Sequence, residues 1–230
     1  MRIAVIGAME EEVELLRSKM DDVEETSVGG ALFYHGRLEG QDVVLLKSGI
    51  GKVNAAIGTT LLLQLYKPEA VINTGSAGGL DPALQTGDLV ISSEVRYNDV
   101  DATVFGYEFG QVPRMPAEFS PDTRLVQAAQ RCAQGIGIPS VTGLIVSGDS
   151  FMSEEERVAL LKETFKEPQC AEMEAGAIAH VCHQFEVPFV IIRSLSDVAG
   201  KDAKMSYDQF LEKASVHSAN LVMKIVKEIQ

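Results

Sequence analysis

Six short polar segments of this chain carry glycines, hydroxyls or carboxylates in the pattern that a small polar ligand needs. They are Gly7-Ala-Met-Glu-Glu-Glu12, Ser48-Gly-Ile-Gly51, Asn73-Thr-Gly-Ser-Ala-Gly-Gly79, Ser147-Gly-Asp-Ser-Phe-Met152, Ala171-Glu-Met-Glu-Ala175 and Arg193-Ser-Leu-Ser-Asp197. Ligands of α/β sheets bind beyond the carboxyl ends of the strands, which is where these segments are expected to fall. Glycines let a ligand approach the backbone, and short polar groups orient it. One such loop is an ordinary turn. Six together point to a polar small-molecule site supplied with carboxylates.

The acids need individual reading. At about 100° per residue, Met9, Val13, Leu16 and Met20 form one apolar stripe, and Glu12 lies nearer to it than Glu10, Glu11 or Glu14. Partial burial tunes a carboxylate toward base chemistry. Acids in a first helical turn also complement the helix dipole, so both readings of Glu12 stand. Glu172 and Glu174 flank Met173 and share a face if that segment is extended, although one of them, Glu174 above all, could cap the helix that follows. Arg193 and Asp197 are spaced for one face of an extended segment, while Asp197 also suits a turn or an N-cap.

Other chemistries fit poorly. Gly75-Ser-Ala-Gly-Gly79 is not the G-x-G-x-x-G of a dinucleotide site. Ser48-Gly-Ile-Gly-Lys52 departs from a P-loop, with Leu46 where the first glycine belongs and Val53 where Ser or Thr should follow the lysine. On a helix, Ile178, Val181, Cys182 and Phe185 form the apolar stripe and His180 and His183 project from nearly the opposite side. Cys182 therefore cannot share a zinc ion with them and reads as a small core residue. No histidine is partnered with a Ser or Cys nucleophile. The 230 residues carry 33 acids against 20 Lys plus Arg, a net charge of −13. That balance argues against tracking nucleic-acid phosphates or docking on anionic lipid. No apolar run approaches ~18 residues, so no membrane span is expected. Three cysteines without a CxxC pair suit a reducing cytoplasm.

The elements that must position these residues alternate. Strands are expected at Ile3–Ile6, Leu32–Leu38, Val43–Leu46, Ala70–Ile72, Asp88–Tyr97, Val141–Val146 and Pro188–Ile192. Helices are expected at Glu10–Met20, Val53–Tyr66, Asp122–Gln134, Ser153–Phe165 and Glu174–Phe185. A last helix should start at Ser206, where Ser206 and Gln209 have capping-box spacing. Val53–Tyr66 has no charged residue and reads as buried on most sides. Asn98–Ser120 is the chief irregular stretch, and loops of that length are usually functional or at an interface. The expected fold is α/β: one domain over residues 1–230, with a mixed, mostly parallel twisted sheet flanked by helices.

Taken in order, Ile6-Gly-Ala-Met-Glu-Glu-Glu12, Lys47-Ser-Gly-Ile-Gly-Lys-Val53, Val71-Ile-Asn-Thr-Gly-Ser-Ala-Gly-Gly79, Ala171-Glu-Met-Glu174, Pro188-Phe-Val-Ile-Ile-Arg193 and Ser196-Asp197 carry a family resemblance over nearly the whole chain. The chain resembles the bacterial 5′-methylthioadenosine/S-adenosylhomocysteine nucleosidases of the nucleoside phosphorylase superfamily. The resemblance implies hydrolysis of the N-glycosidic bond, with Asp197 as acid toward adenine N7 and Glu12 as base for the attacking water. It implies that Glu174 holds the ribose hydroxyls, with Met173 and Arg193 lining the sugar region, that Ser76 supports the water site, and that Gly78, Glu172 and Ser196 are among the substrate-binding residues. Phe151 would stack on the purine and the Met152 backbone read its edge, while Met9, Ile50 and Tyr207 wall the alkylthio side. Many relatives have phenylalanine where this chain has Tyr207. No metal or other cofactor is implied.

Two rivals remain. A phosphorylase needs a cationic pocket for phosphate, and Glu10–Glu12 would repel that anion. A nucleoside-binding protein without turnover has no use for both Glu12 and Asp197. The resemblance further implies a homodimer, in which Phe105, Tyr107 and Pro113 of one subunit close the alkylthio pocket of the other.

Overall fold

Ile3, Ala4, Val5 and Ile6 are all fully buried, yet alternate residues serve different cores. Ala4 and Ile6 pack with Phe33, Val44, Leu46 and Ile178, whereas Ile3 and Val5 pack with Val13, Leu16, Tyr34 and Ile225. A strand turns successive side chains to opposite faces. A continuous apolar run is therefore the signature of a strand covered on both sides. The computed structural model describes residues 1–200 and 203–229.

Among the described residues, nine strands form the sheet: β1 (Arg2–Gly7), β2 (Asp21–Val28), β3 (Ala31–Leu38), β4 (Gln41–Lys47), β5 (Ala70–Gly79), β6 (Leu89–Tyr97), β7 (Ser140–Ser147), β8 (Pro168–Glu172) and β9 (Phe189–Val198). Their order is β2-β3-β4-β1-β5-β8-β7-β6-β9, and β5 also pairs with β9. That extra pairing closes β5, β8, β7, β6 and β9 into a ring. The β1–β4, β1–β5, β5–β9, β6–β7 and β7–β8 pairings are parallel. The β2–β3, β3–β4, β5–β8 and β6–β9 pairings are antiparallel. Among the described residues, six α-helices cover the sheet: α1 (Glu10–Ser18), α2 (Lys52–Tyr66), α3 (Thr123–Ile136), α4 (Glu155–Thr164), α5 (Ala175–Gln184) and α6 (Ala203–Glu228).

Several expectations need correction. β5 and β9 run on through Asn73–Gly79 and Arg193–Asp197, so these polar segments are strand and not loop. Each lends the other its ladder hydrogen bonds, which overrides the weak strand preference of glycine and serine. β2 is exposed and acidic, and β8 is short, so neither shows a clear period. α6 starts at Ala203, which places Ser206 within the helix instead of at its cap. α2 is not buried on most sides. Ala55, Thr59, Leu62 and Leu63 pack inward, while Val53 is 68% and Leu65 55% exposed on the other side. After Lys52 it carries no charge, and it has two apolar faces, of which the chain itself covers one.

Candidate active site

The parallel pairing of β5 with β9 sets Gly75 opposite Arg193 and Gly78 opposite Asp197. This register brings the polar ends of two core strands beside the loops that follow β1, β7 and β8. Between them lies a cavity of about 350 Å³, within the range of small-molecule sites. Glu12, Ser76, Gly78, Met173, Glu174, Ser196 and Asp197 line it together with Met9, Ile50, Phe151, Met152, Glu172 and Tyr207. Thirteen of the fourteen residues expected for one subunit's site thus meet in one cavity. Arg193 stands behind the wall and is fully buried.

Glu12 satisfies both readings of its sequence position. Its Oε2 accepts from the N–H of Ala8 at 2.7 Å and of Met9 at 3.3 Å, which caps the start of α1. Its Oε1 accepts from the Ser76 N–H at 3.0 Å and Oγ at 3.3 Å. Glu12 is only 2% exposed while lining the cavity. Gly75 permits this approach, because a Cβ there would lie 2.7 Å from Glu12 Oε1.

The pair around Met173 divides its duties. Glu172 Oε2 accepts from the N–H groups of Glu174 at 2.9 Å and Ala175 at 2.8 Å, capping α5. Glu174 occupies the cap position, but its side chain makes no cap bond. Its Oε1 instead accepts from the Gly51 N–H at 2.9 Å. The capping role that Glu174 could have had thus falls to Glu172. Arg193 pairs with Glu172 and lies 3.7 Å from Glu174 Oε2. It also donates to Asn73 Oδ1 at 2.7 Å and to the Ser76 carbonyl at 3.3 Å. Asn73 went unread in the sequence because it looked like part of a loop. Burial, then the nearby Glu172 carboxylate, raise the Glu174 pKa to about 8 against the opposing pull of Arg193.

Asp197 sits in a different setting. Its Oδ1 accepts from Ser196 Oγ at 2.8 Å, and it is 2% exposed. Among the described residues no cationic side chain pairs with it. Burial raises its pKa to about 6, against the lowering effect of the Ser196 hydroxyl. This carboxyl can carry a proton near neutrality and donate it into the cavity.

The apolar wall joins Phe151 to Tyr207, whose rings meet edge-on at 5.7 Å between centroids. The Tyr207 hydroxyl reaches Met9 Sδ at 3.3 Å. Ser150, from the polar segment Ser147–Met152, also lines the cavity, as do Lys204 and Asp208, which no motif marked. Phe105 is 79% exposed, and neither it, Tyr107 nor Pro113 lines the cavity of its own chain. His180 Nδ1 is 3.1 Å from the Tyr97 hydroxyl, His183 packs on Phe119, and Cys182 is buried. The two histidines are thus engaged away from the thiol.

A family model described as "Phosphorylase superfamily" matches residues 2–227. A 5′-methylthioadenosine/S-adenosylhomocysteine nucleosidase of Halalkalibacterium halodurans is 66% identical, covering 98% of this chain and 97% of its own. The chain belongs to the 5′-methylthioadenosine/S-adenosylhomocysteine nucleosidase family. The solved Neisseria meningitidis member, in complex with methylthio-immucillin-A, superposes with a TM-score of 0.98 at 50% identity, over 99% of both chains. A Helicobacter pylori member, crystallised as an aspartate-to-asparagine mutant with 5′-methylthioadenosine in the active site, gives 0.95 at 33% identity over 99% of both chains. The family fold is accordingly that of the nucleoside phosphorylases.

Proposed function

We infer that this chain hydrolyses the N-glycosidic bond of 5′-methylthioadenosine and S-adenosylhomocysteine. The products are adenine and either 5-methylthioribose or S-ribosylhomocysteine. The observation that carries this reading is that two buried carboxyls from opposite ends of the sequence, Glu12 and Asp197, line one cavity in unlike environments.

Cleavage develops positive charge on the ribosyl ring, as in other glycoside hydrolyses. Glu12, held by Ser76 and the α1 cap, accepts a proton from water as the water oxygen bonds to the anomeric carbon. The electron pair of the breaking C–N9 bond passes into adenine. Asp197 delivers its proton to N7, so the base leaves neutral. Glu174 accepts hydrogen bonds from the ribose hydroxyls, and Met173 packs on the sugar. Phe151 stacks on the purine and the Met152 backbone reads its edge. The uneven environments keep one carboxyl protonated while the other works as a base.

Water is favoured over phosphate on electrostatic grounds. Among the described residues lining the cavity, Lys204 is the one cation, and it stands exposed on α6. Lys47 and Arg17 are committed to Glu10, and Arg193 to Glu172 and Glu174. A phosphate would meet Glu12 without a free arginine to hold it. The test is adenine release from 5′-methylthioadenosine in phosphate-free buffer. Release that depends on added phosphate refutes hydrolysis, and absence of turnover with tight binding favours a binding protein.

The chain works as one domain and as a homodimer in the cytoplasm. Support for the dimer comes from the exposed apolar residues Val53, Ile57 and Leu65 on α2 and Val104 and Phe105 beyond β6, because such surface is better buried against a partner. Phe105, Tyr107 and Pro113 then close the alkylthio side of the partner's cavity. Three buried free cysteines suit a reducing compartment, and among the described residues no helix is long and apolar enough to cross a membrane. Light scattering that finds an active monomer removes the dimer.

A further inference from the structure

We propose that Asp149 and Asp99 are positioning residues for Glu174, acting through the first turn of α2. The proposal rests on the reading above that Glu174 holds the ribose hydroxyls.

The N-terminal N–H groups of any helix need acceptors from outside the helix. α2 begins after Gly51, which has no side chain with which to cap, and its first turn contains no acid. Two carboxylates from distant segments take the role. The Gly51 N–H donates to Glu174 Oε1 at 2.9 Å, and the next N–H, of Lys52, donates to Asp149 Oδ1 at 2.7 Å. Asp149 is itself held, since its N–H donates to Asp99 Oδ2 at 2.9 Å while Lys52 Nζ donates to Asp99 Oδ1 at 2.7 Å. Adjacent N–H groups of one turn are thus divided between a cavity carboxylate and a carboxylate outside the cavity.

This arrangement fixes Glu174. One of its oxygens is bound by Gly51, so the orientation of the other depends on where Gly51 stands. Gly51 has φ of +92°, a left-handed conformation that side-chain-bearing residues rarely adopt, and a Cβ there would lie 3.0 Å from Asp149 Oδ1. The turn has little freedom while Asp149 holds it, and it loses an anchor when Asp149 is truncated. Neither Asp149 nor Asp99 lines the cavity, so neither is expected to touch substrate. A displaced positioning group can cost up to about a hundredfold.

A competing explanation is local, because Asp149 is two residues from Phe151 and any change could disturb the purine wall. A double-mutant cycle separates the two. Binding of methylthio-immucillin-A is measured for wild type, Asp149→Ala, Glu174→Ala and the double variant, because alanine removes the oxygen that the Gly51 N–H binds whereas glutamine would keep an acceptor there, and the cycle survives loss of turnover. Truncation at Asp149 should weaken binding about tenfold in wild type but less than about twofold in the Glu174→Ala background. Asp149→Asn, whose amide oxygen still accepts from the Lys52 N–H, should restore binding to within about twofold of wild type. Equal losses in both backgrounds, no loss from Asp149→Ala, or no rescue by asparagine would each overturn the proposal. If Asp149→Ala does not fold, Asp99→Ala enters the same cycle with the same criteria. A wild-type protein that neither binds the probe nor releases adenine overturns the functional reading itself. An active wild type with an additive cycle overturns the positioning role alone.

Discussion

The two ends of the cavity use the same functional group in opposite ways. At the sugar end, Glu172 and Glu174 surround the buried guanidinium of Arg193, with Glu12 close by across Gly75. At the base end, Asp197 has one hydroxyl partner and no cationic partner among the described residues. At the sugar end the cation and the backbone N–H group of Gly51 oppose the burial that raises Glu174, and so favour negative charge where positive charge develops in the proposed transition state. At the base end burial raises Asp197 to about 6, which favours a proton where negative charge would otherwise build on the leaving group. The difference shows that the protonation pattern is set by neighbours, because the side chains themselves are nearly alike.

That contrast can be broken first at Glu12. Glu12→Gln keeps the size and one acceptor but removes the base, and kcat should fall by about 10²–10⁴ with the nucleoside still bound. Steady-state kinetics with parallel binding measurements check this. Arg193→Met attacks the sugar end differently, since it leaves buried carboxylates without their cation. Loss of one partner of a buried pair costs about 3–5 kcal/mol, so urea unfolding should show a marked drop in stability as well as weak ribose binding.

The base end is sharpened by pH. Asp197 is competent while protonated, and its pKa is raised to about 6. As pH rises through that value the acid form is lost, so kcat/KM should fall toward tenfold per pH unit on the alkaline side. A flat profile between pH 6 and 8 would contradict the assignment. The smallest expected effect lies between the ends. Tyr207→Phe removes a hydroxyl whose hydrogen-bond partner among the described residues is Met9 Sδ, so turnover of 5′-methylthioadenosine should change by less than about twofold.

The sequence was most informative where one local rule sufficed. The apolar stripe of α1 singled out Glu12, and the Val-Ile runs marked where β5 and β9 begin. Their polar ends look like loops in the sequence, because Asn73–Gly79 becomes strand chiefly through pairing with β9, more than a hundred residues away, and at its two ends with β1 and β8. The division of labour between Glu172 and Glu174 was equally hidden, since either could cap α5 and only the position of Gly51 releases Glu174 from that task. The uncovered face of α2 could not be told from a buried one, because an uncharged helix has the same composition in both cases.

The account is tested most directly at the proton donor. Adenine release from 5′-methylthioadenosine should be followed in phosphate-free buffer for wild type and Asp197→Asn, with binding of the intact nucleoside measured alongside. The prediction is rapid release by wild type and a loss of at least about a hundredfold in the variant, with the nucleoside still held in the site. An Asp197→Asn enzyme that releases adenine at close to the wild-type rate would contradict the claim that two unlike carboxyls work across one glycosidic bond.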